Sequence, residues 1–332
     1  MRALIAVLLL AGCSQSTAGD EPMLAQWRAI EVTATPIALG AEQVGRLRFR
    51  GGLVLTSDVT AFGALSGFEV LDNNRALFLN DDAEWFEARL VLDESGALVG
   101  FDDVRYAVMR NERGEFFSYE DNTADSEGLT QLLDGRFAAG FEGTQLIQIF
   151  DMNRDGPFGP SAVGPRLAGV DRLPKNAGLE AIATAADGAI IVGAEGSGLA
   201  STPIWRVRLD ATEPTPALIE FPLAPGYSLT ALDRAPDGGF VALERFYAPI
   251  IGARAKIAYF PASALDSGAE VMPDVEELAT LAPPMAIDNF EGVATARMPD
   301  GTTRIYIVSD DNYNRHQRTI LYAFDVVSEA AR

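Results

Sequence analysis

The residues with the clearest chemical potential are acids that recur in a fixed setting. Glu69, Glu127, Glu180 and Glu291 each stand beside small or apolar residues, with Thr230 in the remaining place, about 50–60 residues apart. Equivalent positions of a repeated unit converge when the units are arranged around one axis. Converging carboxylates either raise each other's pKa or hold a hard cation, and an oxygen-only donor set favours Ca²⁺. These four glutamates are therefore the candidate metal ligands; the structural alternative is that each caps backbone amides within its own repeat. A second acidic set closes short strands: Asp81, Glu142, Glu195, Glu244 and the pair Asp310-Asp311. Alternation along a strand sends Asp310 and Asp311 to opposite sides, so one of them faces the axis. Asp310 and Glu244 are the candidate catalytic carboxylates, positioned to orient a water. A basic set follows, Arg245, Arg254, Lys256, Arg315 and Arg318, whose charged heads suit an anionic substrate; Arg245 could equally pair with a ring acid.

Other chemistries find little support. Asp151-Met152-Asn153-Arg154-Asp155-Gly156 has the spacing that opens an EF-hand loop, but Ala162 stands where the bidentate Glu belongs. His316 is the only histidine, which excludes a His-rich zinc site and leaves one residue for any Ser-His-Asp triad. There is no Gly-Lys-Ser/Thr phosphate loop and no Rossmann fingerprint.

The elements that must position these residues are short strands. From Asp288 to Phe324 the chain reads as three: Val293 to Ala296, Ile305 to Val308 and Thr319 to Phe324, separated by Pro299-Asp300-Gly301 and a polar loop. The same unit appears around Gly67-Phe68-Glu69, Glu127-Gly128-Leu129, Leu179-Glu180-Ala181 and Leu229-Thr230-Ala231, several followed by an Asp-Gly turn. This period predicts an all-β fold, a β-propeller, with a sixth blade completed by strands from the two ends of the chain.

The 332 residues carry a formal net charge of −21, and nearly half of them are apolar. That balance repels nucleic acid and anionic lipid and argues against a polyphosphate ligand unless a cation bridges the two. Cys13 is the only cysteine, so no intramolecular disulfide can form and stability must come from burial. Met1-Arg2 followed by the apolar run Ala3 to Leu10 reads as a secretory signal, too short to span a bilayer. Leu10-Ala11-Gly12-Cys13 resembles the bacterial lipoprotein box. It implies cleavage after residue 12, lipid on Cys13, a tether over 13–28 and one domain over 29–332. Ser14 resembles the outer-membrane sorting signal of Gram-negative lipoproteins, facing the periplasm, with membrane contact through the lipid alone.

Longer motifs point to a family. Leu65-Ser66-Gly67-Phe68, Asp125-Ser126-Glu127-Gly128-Leu129, Asn176-Ala177-Gly178-Leu179-Glu180-Ala181 and Ala242-Leu243-Glu244-Arg245 occur in order. With Asp288-Asn289-Phe290-Glu291-Gly292, Ser309-Asp310-Asp311-Asn312 and Gln317-Arg318-Thr319, the chain from about Gly63 to Phe324 resembles the bacterial phytase-like domain, "esterase-like activity of phytase". The resemblance implies a propeller hydrolase of phosphate or carboxylate esters. Two cationic positions usual in that family are replaced here: Gly143-Thr144-Gln145 follows Glu142, and Asp82 follows Asp81. The expected activity is metal-assisted ester hydrolysis at a central pocket in the cell envelope. The alternative is a non-catalytic propeller that binds a sugar, peptide or partner protein.

Overall fold

The computed structural model describes residues 26–118, 123–173, 178–196 and 198–327. The leader, Cys13 and most of the expected tether lie outside the described residues. Among the described residues the strands form five antiparallel sheets, each begun at its inner edge by one of the repeated motifs. Blade 1 runs outward through Leu65–Val70, Arg75–Asn80, Glu84–Leu92 and Leu98–Val108. Blade 2 comprises Ser126–Gln131, Phe137–Phe141, Leu146–Phe150 and Ala162–Val163; blade 3 comprises Leu179–Thr184, Ile190–Ala194, Ser201–Val207 and Ile219–Pro222. Blade 4 comprises Tyr227–Arg234, Phe240–Ala248, Gly252–Phe260 and Glu276–Leu281.

Blade 5 explains why the ring holds five blades and not the six expected. Its first three strands, Asn289–Arg297, Thr303–Asp310 and Thr319–Val326, come from the C-terminal end. Its fourth, Leu47–Thr56, comes from the N-terminal end and pairs antiparallel with the third in the register Leu321↔Leu53. Strands from the two ends do close the ring, but they complete the last visible repeat instead of building another. No helix among the described residues is long and apolar enough to cross a membrane.

Alternating apolar residues of neighbouring sheets fill five core clusters, one between each adjacent pair of blades. Trp85 against Phe150 joins blades 1 and 2, and Phe221 against Phe260 joins blades 3 and 4. Each large buried aromatic stabilises the ring by roughly 2–3 kcal/mol through apolar burial. The inner strands approach closely because small residues follow the repeated motif. A Cβ on Gly128 would lie 2.3 Å from the Glu180 carbonyl oxygen of the next blade, and one on Gly67 would lie 2.5 Å from that of Glu127. Glycine there admits a neighbouring backbone.

Candidate active site

The register of each inner hairpin determines what reaches the axis. In every blade the pairing of the first two strands shifts at the repeated motif, between Leu65/Phe68, Ser126/Leu129, Leu179/Ala181, Leu229/Ala231 and Phe290/Gly292. A bulge re-aims the side chain it carries. The residues at these shifts are Ser66, Glu127, Glu180, Thr230 and Glu291. The second strands carry a companion set in the same order of blades: Asp81, Glu142 and Glu195 just past their ends, Arg245 within its strand and Asp310 as the last residue of its strand.

Three of the first set and all five of the second line one axial cavity of about 400 Å³, with Asp125 and Asn312. It gathers eight carboxylates and one guanidinium. Arg245 lies 3.2 Å from Glu195 and 3.1 Å from Glu291, and donates to Asn289 Oδ1 at 2.7 Å. Asn289 Nδ2 donates in turn to Glu291 at 2.8 Å and Asp310 at 3.2 Å, which ties both acids to Arg245, the only cationic side chain among the described residues of the cavity. Ser66 donates its hydroxyl to Asp81.

One cation cannot balance eight acids, and burial adds to the excess. Burial pushes Asp310 up to about 9, with Glu291 and Asp81 adding repulsion. Burial, then Glu291, pushes Asp81 up to about 8, and burial pushes Glu142 up to about 7 despite the N–H that Gly178 donates to it. Glu127 and Glu180 are both raised well above the usual carboxylate range, first by burial and then by neighbouring acids. Glu291 is also raised by burial, with Arg245 opposing the shift. In the cation-free cavity several of these groups hold protons at neutral pH. A carboxyl that keeps its proton is suited to act as a general acid.

The expected ligands divide. Glu127, Glu180 and Glu291 meet in the cavity; Glu69 does not. It lies three residues past Ser66, about 10 Å farther along the inner strand. There it accepts from Gln131 N–H at 2.8 Å and is raised by burial and by Asp233. Glu244 is also one place out of phase. It is fully buried, meets Lys256 as an ion pair at 2.7 Å, and accepts from Ala224 N–H at 2.9 Å. Neither Glu244 nor Lys256 reaches the cavity, and Arg245 occupies the axial position beside them. Arg254 is exposed and turned over Phe246, and Arg315 is exposed with its Nε toward His316. Arg318 pairs with Asp288 at 3.2 Å in an adjoining cavity. Asp151 caps a short helical turn, Met152–Asp155, and both it and Asp155 are engaged by Arg154.

Three contributors were missed as site residues. Asn289 carries the hydrogen bonds between Arg245 and two acids, Asn312 lines the cavity wall, and Asp125 completes a group with metal-ligand geometry. One carboxylate oxygen each from Asp125, Glu127 and Glu142 lies within 4.8 Å of the others. Asp125 and Glu142 also hydrogen-bond each other, which requires a proton on one of them. Oxygen-only donors in an irregular acidic cup fit Ca²⁺ better than a soft or imidazole-seeking metal.

The model of the family described as phytase-like, esterase-like activity of phytase, matches residues 60–313. The chain belongs to that family. This phytase-like chain is thereby placed among propeller hydrolases in broad terms. No curated protein matches it. Among solved structures it is similar to a gluconolactonase from Xanthomonas campestris, with 12% identity, 90% of this chain and 97% of that one covered, and a TM-score of 0.42. It is also similar to virginiamycin B lyase from Staphylococcus aureus, with 10% identity, 90% and 100% covered, and a TM-score of 0.42. A PQQ-bound aldose sugar dehydrogenase from Streptomyces coelicolor shows 12% identity, 89% and 99% covered, and a TM-score of 0.40. At these values no chemistry passes from those proteins to this one.

Proposed function

We propose that the phytase-like propeller hydrolyses a phosphate or carboxylate ester at its acidic axial cavity, with Ca²⁺ as the bound cation. The observation that carries this reading is the meeting of eight carboxylates with a single arginine that is already engaged. Such a cavity repels an anionic substrate when empty and attracts a divalent cation strongly. Asp125, Glu127 and Glu142 would hold the cation, with Glu180 and Glu291 closing the cup. Bound there, it would polarise an ester oxygen and acidify a water. Arg245 and Asn289 fix the orientation of Glu291 and Asp310. Asp310 and Asp81, pushed up to about 9 and about 8, would protonate a departing alkoxide.

The test is a panel of phosphate and carboxylate esters offered to purified protein with Ca²⁺ or with EDTA. Hydrolysis in Ca²⁺ that EDTA abolishes supports the reading, and full activity in EDTA refutes the metal role. Cation binding without turnover of any ester would favour the non-catalytic alternative. We further propose, from the motif ending at Cys13, that the protein is lipid-anchored in a Gram-negative envelope. Cys13→Ser would then release it from the membrane fraction, and unchanged fractionation would refute the anchor.

A further inference from the structure

Next to the acidic cavity, sharing Arg245 and Asn312 with it, lies a larger one of about 840 Å³. Its size is within the range of small-molecule sites. One wall is the Phe240–Ala248 and Gly252–Phe260 hairpin of blade 4, which contributes Tyr247; the opposite wall is the blade 5 loop between Asp310 and Thr319. The two cavities contrast in chemistry. Among the described residues Asp288 is the only carboxylate lining the second, and Arg318 holds it at 3.2 Å.

The hydrogen-bonding groups there separate into spent and available ones. Asn314 is spent inside its loop, donating to Gln317 Oε1 at 3.2 Å and accepting from His316 N–H at 3.1 Å. The Asn312 side-chain amide and Gln317 Nε2 have no partner among the described residues. Asn312 is held in a left-handed conformation (φ 49°) by the bond from its N–H to Asp310 Oδ1. Its amide therefore projects from a fixed base at the junction of the two cavities. Tyr247, 69% exposed, lines the same cavity from the blade 4 hairpin.

Amides that both donate and accept, in one chamber with an exposed aromatic ring, match a ring with hydroxyls on its edge and C–H groups on its face. An acyl chain would find only Ile287, Ala253 and the ring of Tyr247 to cover it. A polyanion would face the carboxylates next door. We propose that this chamber is a carbohydrate subsite. It takes the polyhydroxylated ring of a substrate whose ester bond reaches the acidic cavity past Asn312. The catalytic half of this statement rests on the function proposed above; the binding half does not.

The experiment is saturation-transfer NMR on the intact protein with methyl glucoside, and with cyclohexanol and inorganic phosphate as comparison probes. Methyl glucoside should bind, and Tyr247→Ala and Asn312→Ala should each weaken it by about tenfold, the scale of one lost hydrogen bond or stacking contact. Tyr247 is exposed, so its truncation does not endanger the fold. Sugar binding without ester turnover would uphold the subsite and defeat the hydrolase. Ester turnover with no sugar binding, with binding that ignores Tyr247 and Asn312, or with preference for cyclohexanol or phosphate would overturn the subsite alone.

Discussion

Replacing Arg245 with Met removes the one positive charge from a cavity of eight acids while keeping most of the side-chain volume. The guanidinium is 26% exposed, and its partners Glu195 and Glu291 are 10% and 11% exposed, so solvent screens the pairs only partly. Breaking a buried pair by deleting one partner costs about 3–5 kcal/mol. For a folded domain of about 300 residues the unfolding entropy is roughly 0.6 kcal/mol/K, so the melting temperature should fall by about 5–8 °C. The pH dependence gives the sharper signature. Folding raises Glu142, Asp81 and Asp310 to about 7, 8 and 9. Stability from groups raised in this way is complete below their unfolded values near 4 and is lost as pH climbs through 7 to 9, at up to about 1.4 kcal/mol per pH unit per proton. Protonation at pH 5 removes much of the repulsion that Arg245 offsets. The variant should therefore lose most at pH 8.5 and clearly less at pH 5, as followed by differential scanning calorimetry in EDTA. Equal losses at both pH values would refute an electrostatic role for the cluster.

Glu127→Gln should abolish the rise in melting temperature caused by Ca²⁺, whereas Glu69→Gln should leave it intact; thermal shift with and without 1 mM Ca²⁺, roughly a weak extracellular-site concentration, separates them. Lys256→Met should strand the buried Glu244 and cost about 3–5 kcal/mol in urea unfolding without changing Ca²⁺ affinity at pH 7. Gly128→Ala should destabilise by at least 1–3 kcal/mol, roughly the cost of overpacking, because its Cβ would meet the Glu180 carbonyl oxygen; a midpoint equal to the parent's would show that the blades can part without cost.

The propeller and the meeting of distant acids could be read from the sequence because both depend on periodicity, which the motifs around Glu127, Glu180 and Glu291 display openly. Phase was harder. Blade 1 carries Ser66 at the bulge, so the nearest glutamate, Glu69, looked like the match although it lies three residues away. In blade 4 an arginine within the second strand, Arg245, takes the axial place held by an acid in the other blades, next to the buried Glu244. Only the strand register resolves either shift, and register depends on which pairings the bulge permits. Blade number failed for a topological reason: Leu47–Thr56 carries no motif that says which blade it joins. Asp125 precedes its strand with φ 80°, a backbone state that its sequence neighbours do not signal.

A crystal grown with Mn²⁺ as a Ca²⁺ surrogate and measured at the manganese absorption edge addresses the central claim directly. The account predicts an anomalous peak inside the ring, within coordination distance of Asp125, Glu127 and Glu142. A cavity without a peak, or manganese bound only on the outer faces of the blades, would contradict it.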